Sequence, residues 1–346
     1  MPQKERYATV MDFFRKKASP EAPFLSLWKH FPYEDTQAKS LAEAQIRFQK
    51  NFNVDVMKIA PHGRYCAVDW GAEIYFPDLT ESVSGSSRCS KYQYNELNDW
   101  QTLEKVDPLD GEFGKQIKAI ELVEKNPNFD ANRVPKMMTI FNPVMTGAKL
   151  SKDERFVKDL LENPKLLLPV LDIFVSVVSE FARVCIDAGC EGIFFCTQQA
   201  QESEMTHEEY KKYVLASDLR VLRNIGNKAD FVVMHVHGDN VYYDFIADRY
   251  PTTAINWHDY DSKPSLVEGS KKTDKLVFGG LDENNTLRNG TDEEVKRQIL
   301  SSYDEMSGNE LTNKWVLAPG CVIPQDVSDE RIKLVSDTFR SIEKKR

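Results

Sequence analysis

Phe231-Val-Val-Met-His235-Val-His237-Gly-Asp239-Asn240 is an apolar run that ends in two histidines and then breaks into a polar loop. Its unbroken apolar character suits a strand buried on both faces of a parallel sheet. Successive side chains of a strand point to opposite faces, so His235 and His237, two apart, share one face. A later run, Trp315-Val-Leu-Ala-Pro-Gly-Cys321, ends in a thiol. Two imidazoles and a thiolate are good zinc ligands. Three protein ligands with one open position would make a catalytic rather than a structural zinc site.

Working outward, comparable runs lie at 24–30, 54–61, 137–144, 192–198, 252–257 and 275–282, eight in all with the two above. Amphipathic stretches separate them, at 36–51, 115–124, 166–188, 206–225 and 328–344. Thr206-His-Glu-Glu209 and Thr291-Asp-Glu-Glu294 have the capping-box pattern that opens a helix. Eight strands with helical connections read as an α/β fold, a single (β/α)8 TIM barrel over residues 1–346. Residues 7–17 read as an N-terminal helix capping one end of the barrel. Residues 76–111, polar and without periodicity, read as an irregular insertion over its top.

Composition narrows the function. The chain has 346 residues, 41% of them hydrophobic, enough for a full core. A net charge of −9 argues against a nucleic-acid partner, which calls for a basic patch. Lys271-Lys272 and the terminal Lys344-Lys-Arg346 read as solvated charge. No run approaches the ~20 apolar residues of a membrane span. The opening Met1-Pro-Gln-Lys-Glu-Arg lacks an apolar signal region, so the expected location is cytoplasmic. The six cysteines show no CxxC spacing, and Cys185 and Cys190 read as small buried apolar side chains. No GxGxxG, P-loop or nucleophile-elbow pattern occurs, so Gly279-Gly280 reads as a packing or turn site.

In a (β/α)8 barrel the active site lies at the carboxyl ends of the strands. Those ends supply His30, Lys58 with Arg64 beyond it, Asn142, Gln198 and Gln199, His235 and His237, Asn256 and Trp257, Asp282, and Cys321. His30, Lys58 and Asp282 are the catalytic candidates. Asn142, Gln198, Gln199, Asn256, Trp257 and Arg64 are the candidates for substrate binding. His235, His237 and Cys321 are the candidates for metal. A fourth metal ligand is left open between Asn256, His258, Asp259, water and substrate. Five of the six histidines fall at or just beyond strand ends, and only His207 lies on a helix.

The motifs Phe24-Leu-Ser-Leu-Trp-Lys-His30, Asp55-Val-Met-Lys58, Gly192-Ile-Phe-Phe195, His235-Val-His237-Gly238, Gly279-Gly-Leu-Asp282 and Leu317-Ala-Pro-Gly-Cys321-Val-Ile-Pro324 occur in that order. Together they resemble the uroporphyrinogen decarboxylase superfamily over nearly the whole chain, and the resemblance implies the same barrel. The decarboxylases themselves hold a tetrapyrrole through an arginine-rich motif after the first strand. Here that strand ends in Trp28-Lys-His30 without an arginine, and Pro61-His-Gly-Arg-Tyr65 follows the second strand instead. The cobalamin-dependent methyltransferase branch binds zinc through a His-x-Cys pair and a distant Cys. The resemblance maps these onto His235, His237 in place of the middle cysteine, and Cys321. Imidazole for thiolate leaves a more Lewis-acidic metal and a less nucleophilic bound thiolate.

The resemblance therefore implies zinc-dependent methyl transfer to a small thiol, from a corrinoid supplied by a partner protein or free, or from another donor. The chain itself lacks a corrinoid-binding Asp-x-His-x-x-Gly pattern. A homodimer is also implied. The competing reading is a metal-free decarboxylase or lyase in which His30, Lys58 and Arg64 bind the carboxylates of a porphyrinogen-type substrate. A non-catalytic binding scaffold is the third.

Overall fold

The computed structural model describes residues 3–17 and 22–344. Lys345 and Arg346 of the basic terminus lie outside them. Among the described residues there are ten strands: β1 (Phe24–Leu25), β2 (Met57–Ile59), β3 (Glu73–Tyr75), β4 (Arg88–Lys91), β5 (Lys136–Phe141), β6 (Gly192–Thr197), β7 (Phe231–Val236), β8 (Ala254–Trp257), β9 (Leu276–Leu281) and β10 (Trp315–Pro319). Eight of them form one sheet in the order β1-β10-β9-β8-β7-β6-β5-β2, all pairs parallel. Each expected apolar run supplies one of these strands. Residues on both faces of β5, β6 and β9 are buried throughout, which explains why those runs do not alternate.

The ends of the sheet, β1 and β2, are joined by a buried carboxylate as well as by main chain. Asp55 Oδ2 accepts from Leu25 N at 2.8 Å, Asp55 N donates to Leu25 O at 2.7 Å, and Ser26 Oγ donates to Val56 O at 3.1 Å. Asp55 is fully buried and pairs with Arg6 from the N-terminal helix and with Arg340 from the last helix, the latter at 2.9 Å. These bonds close the (β/α)8 barrel.

Helices cover the sheet, among them Ala38–Phe52, Gly111–Glu124, Pro164–Asp187, Asp292–Gly308 and Asp329–Lys344. Both expected capping boxes form, at Thr206 with Glu209 and at Thr291 with Glu294. The N-terminal helix, Gln3–Phe14, begins earlier than expected and plugs the amino-terminal end of the barrel. Phe14 stacks on Phe231, the first residue of β7, with ring centroids 3.8 Å apart.

The insertion is more regular than its polarity suggests. β4 pairs antiparallel with β3, and Trp100 further along is buried, stacked on Tyr94 and donating to Asp159 Oδ2 at 2.9 Å. The serine-rich 82–87 segment crosses the barrel mouth, where Val83 O accepts from Gln325 N at 2.7 Å. Among the described residues no helix is long and apolar enough to cross a membrane. All six cysteines are free thiols.

Candidate metal centre

Parallel strands bring their carboxyl ends to one mouth, and register decides which side chains meet there. His235 is in register with Cys196 on one side and Asn256 on the other. His237 lies just past the end of β7, His258 just past β8, and Cys321 two residues past β10. One candidate ligand atom from each of His235, His237, His258 and Cys321 lies within 4.8 Å of all the others. β10 is not adjacent to β7 in the sheet, yet Cys321 reaches the cluster because the chain leaves the strand over the mouth. His258, one of the alternatives for the fourth position, is the residue that joins.

The donor set suits zinc. Tetrahedral bonds of about 2.0–2.3 Å place ligand atoms about 3.3–3.8 Å apart. His237 Nδ1 is 3.8 Å from Cys321 Sγ and 3.1 Å from His258 Nε2, so small shifts would seat an ion. His235 is held ready for it. Asn256 Nδ2 donates to Phe278 O and Pro319 O, both at 3.1 Å, which fixes the orientation of the amide. Its Oδ1 must then accept from His235 Nδ1, 2.6 Å away. The tautomer that follows has its proton on Nδ1 and a free lone pair on Nε2. Burial, with His237 and His258 close by, keeps the His235 imidazole from protonating.

Asn256 therefore acts behind His235 and ties together β8, β9 and the end of β10, just before Cys321. Asn256→Leu should weaken metal binding by about 10- to 100-fold, measured by competition with a chelator. Unchanged affinity would mean that His235 needs no such support.

Glu283 has a matching part that the sequence did not reveal. Its carboxylate accepts from Gly320 N at 2.9 Å and Cys321 N at 2.8 Å, and it lies 3.8 Å from His258 Nδ1. Burial raises this carboxyl to about 7. Its neighbour Asp282, the catalytic candidate, is turned to another task. The Asp282 carboxylate caps the turn at 285–286 through Asn285 N, Thr286 N and Thr286 Oγ1.

The cluster opens into a cavity of about 250 Å³ lined on the far side by Trp28, His30, Lys58, Phe141, Lys149 and Phe194, with Cys196 and Gln198 between. His235, His237 and Cys321 face it, and His258 stands outside its lining. Burial, with Lys58 near, drives His30 down to about 3, so it is neutral. Burial pushes the Cys196 thiol up to about 12.

The remaining candidates lie elsewhere. Asn142 is fully buried: its Oδ1 caps the helix Pro143–Leu150 at Met145 N, and its Nδ2 donates to Asp218 at 3.1 Å. Trp257 is core, its Nε1 donating to Pro264 O. Gln199 is fully buried, and Arg64 does not line the cavity. Lys149 went unnoticed in the sequence because it arrives on that short helix after β5 rather than at a strand end.

The uroporphyrinogen decarboxylase (URO-D) family model matches residues 28–342. No curated protein matches the chain by sequence. Among solved structures, a methyltransferase from Methanosarcina mazei superposes with a TM-score of 0.80 at 16% identity, over 98% of this chain and 99% of that one. A B12-independent methionine synthase from Shewanella sp. W3-18-1 gives a TM-score of 0.53 at 13% identity, over 94% and 98%. At such identities these two likenesses speak for the barrel alone. The order of motifs, the closed parallel sheet and the family match agree: this chain belongs to the uroporphyrinogen decarboxylase family.

Proposed function

We propose that the chain is a zinc-dependent methyltransferase acting on a small thiol, with His235, His237, Cys321 and His258 holding the metal. The observation that carries this reading is the convergence of three imidazoles and a thiol, with ligand atoms within 4.8 Å, on the wall of a cavity. The M. mazei methyltransferase and the Shewanella B12-independent methionine synthase, whose barrel this chain shares, are in keeping with methyl transfer.

A zinc ion held there would lower the pKa of a substrate thiol, so that the thiolate is available near neutral pH. The protein's own part is positional. Asn256 presents the Nε2 lone pair of His235, and Glu283 pins the main chain beneath Cys321. Trp28, Phe141 and Phe194 give the small chamber in front of the cluster apolar walls. The methyl group would come from outside, on a corrinoid carried by a partner protein or free.

The metal-free decarboxylase reading fits less well. A cavity of about 250 Å³ is below the ~300–1,000 Å³ of pockets for drug-sized ligands, and a porphyrinogen is larger still. Among the described residues no aspartate or glutamate lines the cavity, which leaves a histidine as the donor to a carbanion in that reading.

The test is to incubate zinc-loaded protein with methylcobalamin and a panel of small thiols and to detect the methyl thioether by mass spectrometry. The expected result is a thioether that depends on zinc and disappears in Cys321→Ala. Formation at an equal rate in that variant, or with no thiol in the panel, would overturn the proposal.

A further inference from the structure

Between Glu73 and Gln93 the chain runs through the β3–β4 ribbon and the loop 76–87 that joins its strands. The ribbon stands outside the barrel sheet, and no residue of either strand is buried. Within 73–93 only Gly85 and Ser87 are buried, and each lies against the barrel, at Gln325 and His62 respectively. The loop itself is compact. Arg88 Nη2 donates to Glu81 O at 2.9 Å across its neck, and Ser84 Oγ accepts from Ser86 N at 3.2 Å and pairs with Ser82 Oγ at 3.0 Å. Ser84 and Ser86 line the cavity, on the same wall list of side chains that includes His235, His237 and Cys321.

The neck of the loop is held at His62, which is fully buried. Its Nδ1 lies 2.8 Å from Ser87 Oγ and its Nε2 lies 3.1 Å from Glu112 Oε1. Glu112 also pairs with Lys115 and accepts from Gln116 Nε2 at 2.7 Å, so the carboxylate is the acceptor and His62 Nε2 the donor. Nδ1 is then left to accept from the Ser87 hydroxyl. Phe76, at the other end of the loop, meets the same imidazole edge-on with ring centroids 6.0 Å apart. The tip of the loop is held at Gln325, which follows β10. Gln325 N donates to Val83 O at 2.7 Å, and Gln325 Nε2 donates to His30 O at 2.9 Å. Gly85 has φ +69°, and a Cβ there would come within 2.6 Å of Gln325 Cγ.

A two-stranded ribbon alone is marginally stable. Segments with few buried contacts open at the lowest free energy, and lids are drawn from them. We propose that residues 76–87 are a lid over the cavity, which pivots at His62, is latched at its tip by Gln325, and lifts to admit a ligand. Opening breaks the Val83–Gln325 bond and the Gly85–Gln325 contact, and leaves the neck on His62. The lid stands whether or not the cluster holds zinc, and Cys321 enters its test only as a thiol inside the cavity.

The experiment measures two rates in metal-free wild type, Gly85→Val and Gln325→Ala. One is amide hydrogen exchange across 76–93 and the barrel strands. The other is alkylation of Cys321, located by peptide mapping, with iodoacetamide and with the much bulkier fluorescein maleimide. Gly85→Val wedges the tip away from Gln325, and Gln325→Ala removes the side chain that covers Gly85. In both, exchange in 82–87 should rise by roughly five- to tenfold, the factor set by one hydrogen bond of ordinary strength, with the barrel strands unchanged. Alkylation of Cys321 should rise by a similar factor for the bulky reagent and little for the small one. Unchanged exchange in 82–87 in both variants, or a bulky reagent that gains no more than the small one in either, would overturn the proposal. If Gly85→Val speeds exchange in the barrel strands as well, its fold has been lost, and Gln325→Ala decides.

Discussion

Alanine at His235 or Cys321 is expected to abolish the retention of zinc through gel filtration while leaving the fold intact. The effect should exceed the ~10- to 100-fold cost of losing a supporting residue, because a bonding atom is removed. The fold should survive because trimming these side chains at the barrel mouth leaves the main-chain bonds of the sheet in place. His258→Ala offers a graded comparison. It removes the one donor that does not line the cavity, and three protein ligands are enough for a catalytic zinc site. That variant should hold zinc more weakly but still measurably. Elemental mass spectrometry of the three proteins reads all of this, and equal zinc in His235→Ala and wild type would contradict the assignment.

The largest effect on stability is expected at Asp55. Its carboxylate is fully buried, accepts from Leu25 N, and pairs with Arg6 and Arg340 from the two ends of the chain. Asp55→Ala would leave both guanidinium groups and one main-chain donor without that partner at the seam of the barrel. Breaking a buried pair in this way costs about 3–5 kcal/mol, against a total stability of about 5–15 kcal/mol. Urea unfolding measures it. A loss of less than about 1 kcal/mol, as for an exposed pair, would mean that the β1–β2 seam is held by the main chain alone.

Much of this was legible in the sequence, for identifiable reasons. A barrel strand buried on both faces leaves an unbroken apolar run, so all eight strands could be read. His235 and His237 were found because strand alternation puts them on one face. The seam through Asp55 could not be read, because β1 and β2 have only two and three residues in the ladder and a side chain completes the closure. Beyond a strand's last residue alternation ends. Hence His258 remained one of several alternatives, and Asp282 was chosen where its neighbour Glu283 faces the cluster. Asn142 looked like a substrate contact because polar residues at a barrel rim need partners. Its partners are the first turn of the following helix and Asp218. Lys149 was hidden for the opposite reason: nothing in a short helix marks a lysine as turned inward.

The measurement that tests the central claim most directly is the metal content of the untagged protein, purified and reconstituted with zinc under reducing conditions. The account predicts about one zinc per chain, as a single four-donor site requires. No zinc after reconstitution would contradict it.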